Sequence, residues 1–361
     1  MIPHILRCAG RKVHGRIRSL VARWNNFCPP SEQSLMQSAA LRGLNEQVEK
    51  IAARLQTLDR DLTRTVTAEI DRLDSYLVYH AIALGRQIDR RSEEIGDTAP
   101  LYVQNSLDAL LIAAEFDLLV PTCEVSLLSY LTRHGLALIE PGVQAILRDR
   151  LVAGATAVDI GANVGLHALK MAKIIGPDGR LICLEPLPDI ASTLERTLRL
   201  NGFGDRSQVI CSAAADTCGE AKLHRASHSP LSSLFPISEE SALINVKTTT
   251  LDDCFAPGEQ VDMIKIDVQG AEPLVYRGMQ RILNDNPGVE LILKWSASHF
   301  VRSDESPGSF WLSIRHDGFK TLLIDNEHPS QLVEIQEPAT IPGAANLLLT
   351  RKWSGSAGIT G

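Results

Sequence analysis

The chain has 361 residues, a net charge of −7 and 44% hydrophobic residues, enough for one sizeable α/β domain with extensions. The acidic balance argues against a dedicated nucleic-acid binder, and no apolar run approaches the ~20 residues of a bilayer span. Seven cysteines, an odd number without C-x-x-C pairs, and no evident secretory signal point to a reducing, cytoplasmic setting with no structural zinc and no required metal.

Residues 1–33 are a basic arm. Arg7, Arg11, Lys12, Arg16, Arg18 and Arg23 meet no acidic residue and alternate with apolar side chains. That pattern suits a helix lying on an anionic membrane surface, a peripheral contact at the inner face. A targeting peptide and a solvated arm are the other readings. Residues 34–98 hold a heptad seam and a linker. Leu41, Leu44, Val48, Ile51, Leu55, Leu58 and Leu62 recur at alternating gaps of three and four, as in a coiled coil. Gaps of four on either side of Val66 read as a stutter. A helix of about 55–60 residues is roughly 85–90 Å long, too long to bury its stripe on one compact domain. Homo-oligomerisation is the expectation, with a helix folded back on the chain as the alternative.

From 99 to 353 the pattern is α/β. A strand is expected at Phe116–Val120, a helix at Val125–His134, and another at Val143–Leu151, opened by Glu140-Pro141-Gly142. Ala157–Ile160 is an apolar run bounded by glycines, the mark of a buried parallel strand. Gly161 and Gly165 let the chain turn sharply and a ligand approach, and the next helix stops at Gly176-Pro177. Strand Arg180–Leu184 ends in Glu185-Pro186, helix Pro188–Leu200 follows, and strand Val209–Cys211 ends at Ser212 and Ala213. Cys183 and Cys211 are expected as free thiols in core strands. Glu220–His224 and Val246–Thr250 flank a polar insertion, His228–Ser233, expected as a lid or substrate platform. Strand Val261–Asp267 turns through Val268–Glu272 into helix Pro273–Leu283, and Val289–Leu293, Lys320–Ile324 and Asn346–Leu349 complete the strands. Residues 354–361 form a Gly/Ser-rich tail, expected to be flexible.

An acid at the tip of a second strand, a little over ~20 residues past a glycine turn, is where a nucleoside has its ribose hydroxyls bound. Glu185 holds that place. A dinucleotide site also needs a glycine at the second position of G-x-G-x-x-G, so that pyrophosphate can touch the backbone. Asn163 stands there instead, within Gly161-x-x-x-Gly165. Asp159, a carboxylate at the end of the first strand, suits an ammonium better than a pyrophosphate. The set Asp159, Gly161, Asn163, Gly165 and Glu185 therefore favours S-adenosylmethionine over NAD. Ser212 and Ala213 border the adenine by position alone, and Asn163 is expected to shape the turn.

The segments Val158–Gly165, Glu185-Pro186, Thr250-Leu251-Asp252 and Lys265–Glu272, in this order, resemble the FkbM family of S-adenosylmethionine-dependent methyltransferases. The resemblance runs from about Leu118 to Thr350 and leaves out the arm and the heptads. It implies a Rossmann-like class I methyltransferase sheet of about seven strands, the last pair a reversed hairpin. It also implies O-methylation of a hydroxyl on a saccharide, glycolipid or other natural product. Two positions depart from the family: Gln269, commonly Glu, and Lys294, where an acid is usual. Lys294 reverses the charge beside the expected substrate site. It is the feature that favours an alternative, a non-catalytic coiled-coil scaffold on a degenerate methyltransferase fold.

Methyl transfer to a hydroxyl needs donor and acceptor held in line and a group to receive the proton. Asp267, at a strand tip, is the first candidate for base or methyl-site organiser. Lys265 lies on the same side of the strand and is placed to orient it, and Glu272 can pair with either lysine. The plainer alternatives are Asp267 as a cap of the following helix, Lys265 in a structural ion pair and Glu185 as a surface acid. His228 in the insertion is the alternative base, and His299 the next.

Overall fold

The computed structural model describes residues 101–352 except 105–107, 113–114, 135–138, 227–228, 237–240 and 329–330. The basic arm, the heptad seam, the tail and His228 lie outside the described residues. Three strands, β1 (Leu101–Gln104), β2 (Asp108–Ile112) and β3 (Asp117–Pro121), pair antiparallel. Helices α1 (Val125–His134) and α2 (Pro141–Arg150) follow, then β4 (Thr156–Ile160), α3 (Leu166–Ile175), β5 (Arg180–Leu184), α4 (Pro188–Leu200) and β6 (Ser207–Ile210). Strand β6 stops before Cys211, so that thiol is exposed rather than in the core, whereas Cys183 is buried.

The insertion supplies its own small sheet. The two-residue strand β7 (Ala213–Ala214) pairs parallel with β9 (Ala242–Thr249), and β9 pairs antiparallel with β8 (Gly219–Arg225). The chain then returns through β10 (Met263–Ile266), the short helices α5 (Glu272–Arg277) and α6 (Gln280–Asp285), and β11 (Glu290–Ser296). It ends with α7 (Ala297–Arg302), α8 (Pro307–His316), β12 (Lys320–Ile324), β13 (Leu332–Ile335) and β14 (Ala344–Thr350).

Among the described residues the main sheet has eight strands in the order β13-β12-β14-β11-β10-β4-β5-β6. From β11 to β6 the pairings are parallel, and β14 runs antiparallel between β11 and β12. That is the reversed pair expected at the end of the sheet. Edge strand β13 adds one to the expected seven. Ala157 packs into the core with α1–α4, whereas Val158 and Ile160 pack into the core with α5–α8. Cover on both faces is why the central strands read as near-continuous apolar runs.

The expected helix 273–283 is two helices. A Cβ on Gly278 would lie 2.0 Å from the Ala215 carbonyl oxygen, so the chain passes there only as glycine and the helix breaks. Asp252 restarts it, its carboxylate accepting the N–H groups of Arg281 (3.0 Å) and Ile282 (2.9 Å), two donors with no partner inside the helix. The Thr-Leu-Asp segment is thus structural here. Behind β11 an aromatic knot fills the core. Trp295 meets Phe300 edge-on at 4.9 Å and stacks on Phe310 at 5.8 Å, geometries that rings prefer. Among the described residues no helix is long and apolar enough to cross a membrane.

Candidate active site

A cavity of about 340 Å³ opens at the carboxyl ends of β4, β5 and β10, where ligands bind in an open α/β sheet. The turn after β4 forms its floor. Gly161 has φ +77, and a Cβ there would sit 2.0 Å from the Asp267 carbonyl oxygen. It is the neighbouring strand end, more than a ligand, that demands glycine at this point. Gly165 (φ +102) has no room either, since a Cβ would meet Leu194 at 2.6 Å. Asn163 takes a left-handed conformation (φ 48), which asparagine tolerates. Its Oδ1 accepts from the N–H of Val164 at 2.8 Å, as a turn-shaping residue should.

Glu185 lies against this turn. Oε2 accepts the N–H of Asn163 (3.0 Å) and Oε1 that of Leu187 (2.9 Å). Burial raises its pKa to about 7, with the two main-chain hydrogen bonds working against the rise. It is therefore a buried, cavity-lining group and no surface acid. Ser212 and Ala213 line the same wall. The insertion crosses the mouth. Ser229 Oγ accepts from Asn163 Nδ2 (2.9 Å), the Ser229 N–H donates to Glu124 (2.7 Å), and Ser233 Oγ donates to the Gln269 carbonyl (2.8 Å).

The β10–β11 side carries charge. Asp267 lines the cavity, and its Oδ1 accepts from Gln269 Nε2 at 3.0 Å. It does not cap α5, whose N-cap is Ala271. Lys265 Nζ donates to Asp159 Oδ1 at 3.2 Å across the β10–β4 ladder, with both side chains buried. Asp159 sits behind the cavity wall and does not line it, and its Oδ2 is buried without a partner. Burial disfavours the Lys265 cation, yet Asp159, Asp267 and Glu140 together raise its pKa.

Glu272 pairs with neither lysine. Its oxygens accept the N–H groups of Val268 (3.0 Å) and Gly270 (2.8 Å), closing its own turn, and burial raises its pKa to about 7. His299 is half-buried behind that turn and does not line the cavity: a Cβ on Gly270 would lie 3.0 Å from the His299 carbonyl oxygen.

Two groups here drew no chemical role from the sequence. Glu140, before α2, has left-handed backbone (φ 44). Its Oε1 accepts from Lys294 Nζ and, at 2.9 Å, from Asn346 Nδ2. Burial would raise its pKa, but His167, Lys294, Lys265 and the Asn346 hydrogen bond hold it at about 2. The reversed charge at Lys294 is thus matched by an acid from elsewhere in the fold. His167, on the first turn of α3, lines the cavity with Nε2 3.5 Å from Glu140 Oε2. Only the Glu-Pro-Gly helix start and the position two residues past Gly165 could have pointed to them. Among the described residues no group of three His, Cys, Asp or Glu side chains could hold a metal ion.

Residues 159–321, which include the cavity floor, Glu185, Lys265, Asp267 and Lys294, match the Methyltransferase FkbM domain. The chain is also similar to two proteins named Protein-L-isoaspartate O-methyltransferase. The one from Methanococcus aeolicus is 34% identical over 80 residues, 22% of this chain and 37% of that protein. The one from Methanopyrus kandleri is 31% identical over 72 residues, 19% of this chain and 32% of that protein. The chain thus spans about a third of the length of these curated relatives. A solved SAM-dependent methyltransferase from Aquifex aeolicus is 11% identical, with 62% of this chain and 97% of that chain covered and a TM-score of 0.36.

Proposed function

We propose that this chain is an S-adenosylmethionine-dependent O-methyltransferase acting on a hydroxyl of a saccharide, glycolipid or other natural-product acceptor. The observation that carries the reading is one cavity at the carboxyl ends of parallel strands, with buried Glu185 on one wall and Asp267 on the other. On the β10–β11 side Asp159 pairs with Lys265 and Glu140 with Lys294, which leaves Asp267 as the cavity-lining carboxylate beside which a sulfonium would sit. Glu185 would hold the ribose hydroxyls, the Gly161–Gly165 turn would receive the amino-acid portion, and Ser212 and Ala213 would border the adenine.

When bound, S-adenosylmethionine supplies an electrophilic methyl carbon. The residues of this chain do the rest. Asp267, fixed by Gln269, accepts a hydrogen bond from the acceptor hydroxyl and aims its oxygen. Lys265 stays cationic and locks Asp159 against β10. The insertion, tied at Ser229 and Ser233, limits water. Holding two reactants in line in this way supplies roughly 7–11 kcal/mol. The heptad seam supports a homo-oligomer and the basic arm a peripheral membrane contact, both within the same proposal.

Calorimetry with S-adenosylhomocysteine tests the site, and radiolabel transfer from S-adenosylmethionine to an extracted glycan pool, with an isoaspartyl peptide as competitor, tests the acceptor. No uptake of the nucleoside removes the enzyme reading. Uptake without transfer leaves the scaffold, and transfer to the peptide replaces the hydroxyl acceptor with a carboxylate.

A further inference from the structure

We propose that His167 is the group that takes the acceptor's proton, with Glu140 turned toward the ring to stabilise the cation that forms. This rests on the methyltransferase reading and names the base within that site. Among the described residues, besides the half-exposed Tyr130, six ionisable side chains line the cavity: Glu140, His167, Glu185, Lys265, Asp267 and Lys294. A protonated lysine has no lone pair to offer. Burial works against the charge on both lysines, but Asp159, Asp267 and Glu140 keep Lys265 protonated, and Asp267 and Glu140 do the same for Lys294. Glu140 is ionised but holds a proton poorly, and its Oε1 is taken by Lys294 and Asn346. Glu185 accepts a main-chain N–H group at each oxygen and is assigned to the ribose on the opposite wall. Asp267 holds Oδ1 on Gln269 and, in the function proposed above, aims the acceptor hydroxyl.

His167 differs from all of these. Its ring is buried, and Nε2 has no hydrogen-bond partner although it lies 3.5 Å from Glu140 Oε2. An orphaned polar nitrogen inside a cavity calls for an explanation. The charges that act on the ring are Glu140 ahead of α2, Lys265 on β10, Asp159 on β4 and Asp267 beyond β10. Burial and Lys265 lower its pKa, against the pull of the three acids, so the imidazole is neutral near pH 7. A neutral imidazole beside a fixed carboxylate is the pairing used for proton abstraction on unrelated folds.

The step balances. The acceptor oxygen bonds to the methyl carbon while the carbon–sulfur bond breaks and leaves its electron pair on sulfur. The hydroxyl proton passes to Nδ1, and Nε2–H closes on Glu140, since such contacts tighten only in the reacting complex. The ring returns the proton to water after product leaves.

Two measurements on the full chain test this. In ring-nitrogen NMR with S-adenosylhomocysteine bound, His167 is expected to be neutral near pH 7 with the proton on Nε2. Its midpoint should lie below the ordinary ~6.5 and fall further in E140Q, where a carboxylate is lost. A cationic ring at neutral pH, or one indifferent to E140Q, overturns the proposal. His167→Asn should bind S-adenosylhomocysteine as tightly as the wild type yet lose at least ~100-fold in turnover, together with the acid limb of the rate profile. Wild-type turnover with that limb intact overturns the proposal while leaving the methyltransferase reading in place. Failure of the wild type to take up the nucleoside overturns both.

Discussion

The two walls of the cavity are held by different means. On the β4–β5 side the acid is fixed by main chain: Glu185 accepts N–H groups from Asn163 and Leu187, 22 and 2 residues away. On the β10–β11 side charge is fixed by side chains that arrive from far along the sequence. Lys265 meets Asp159 across 106 residues, Lys294 meets Glu140 across 154, and Asn346 meets Glu140 across 206. The first wall depends on local backbone shape and tolerates change elsewhere. The second depends on charge balance, so a single substitution there leaves another charge uncompensated. Under the proposed function the first side would receive the nucleoside and the second the acceptor.

The hardest test of the backbone-built wall is Gly161→Ala. A Cβ there meets a carbonyl oxygen at 2.0 Å, and backbone cannot yield as a side-chain tip can. The tips of β4 and β10 must part, at a cost of about 3 kcal/mol or more with loss of nucleoside binding. Gly154→Ala is the control. It shares a positive φ (+82) but meets nothing within 4 Å, so about 1–2 kcal/mol is expected. Equal costs in urea denaturation would mean that close approach is not what Gly161 provides. On the charge-built wall, Asp267→Asn should spare calorimetric binding of S-adenosylhomocysteine and, by misaiming the acceptor hydroxyl, lower turnover about 100-fold. Unchanged turnover would remove Asp267 from the reaction.

The same contrast explains what was legible in the sequence. Strands β4, β5 and β12 and helices α1 and α4 follow from apolar runs and local punctuation, because cover on both faces leaves its mark in each segment. The glycine turn and Glu185 were legible for the same reason: both partners lie within one βαβ unit. Edge strand β13 was not, since Leu332-Val333-Glu334-Ile335 is short and buries only Ile335 fully. Helices α7 and α8 were missed because what fixes them is the Trp295 knot, a tertiary contact. Glu140 read as part of a helix start, and His167, just past the glycine turn, drew no role. Their meaning comes from Lys294 and Lys265, which the fold brings in from other strands. Glu272 was given to the lysines because spacing alone cannot show that it closes its own turn.

Glu140→Gln probes that charge balance with a smaller effect and a definite sign. The folded carboxyl titrates at about 2, against 4.5 for an unperturbed glutamate. Because the folded pKa is the lower one, its contribution is present above about 4.5 and is lost as the pH falls toward 2. The amide keeps an acceptor for Asn346 but leaves the partly buried Lys294 ammonium without its counter-charge. With the pair about a fifth exposed, a loss of about 2 kcal/mol near neutrality is expected. In urea denaturation the gap between wild type and variant should narrow steadily below pH ~4.5, as the wild-type carboxyl is neutralised. A gap that stays constant down to pH ~2.5 would mean that Glu140 contributes shape rather than charge, and the distinction between the two walls would then rest on Lys265 and Asp159 alone.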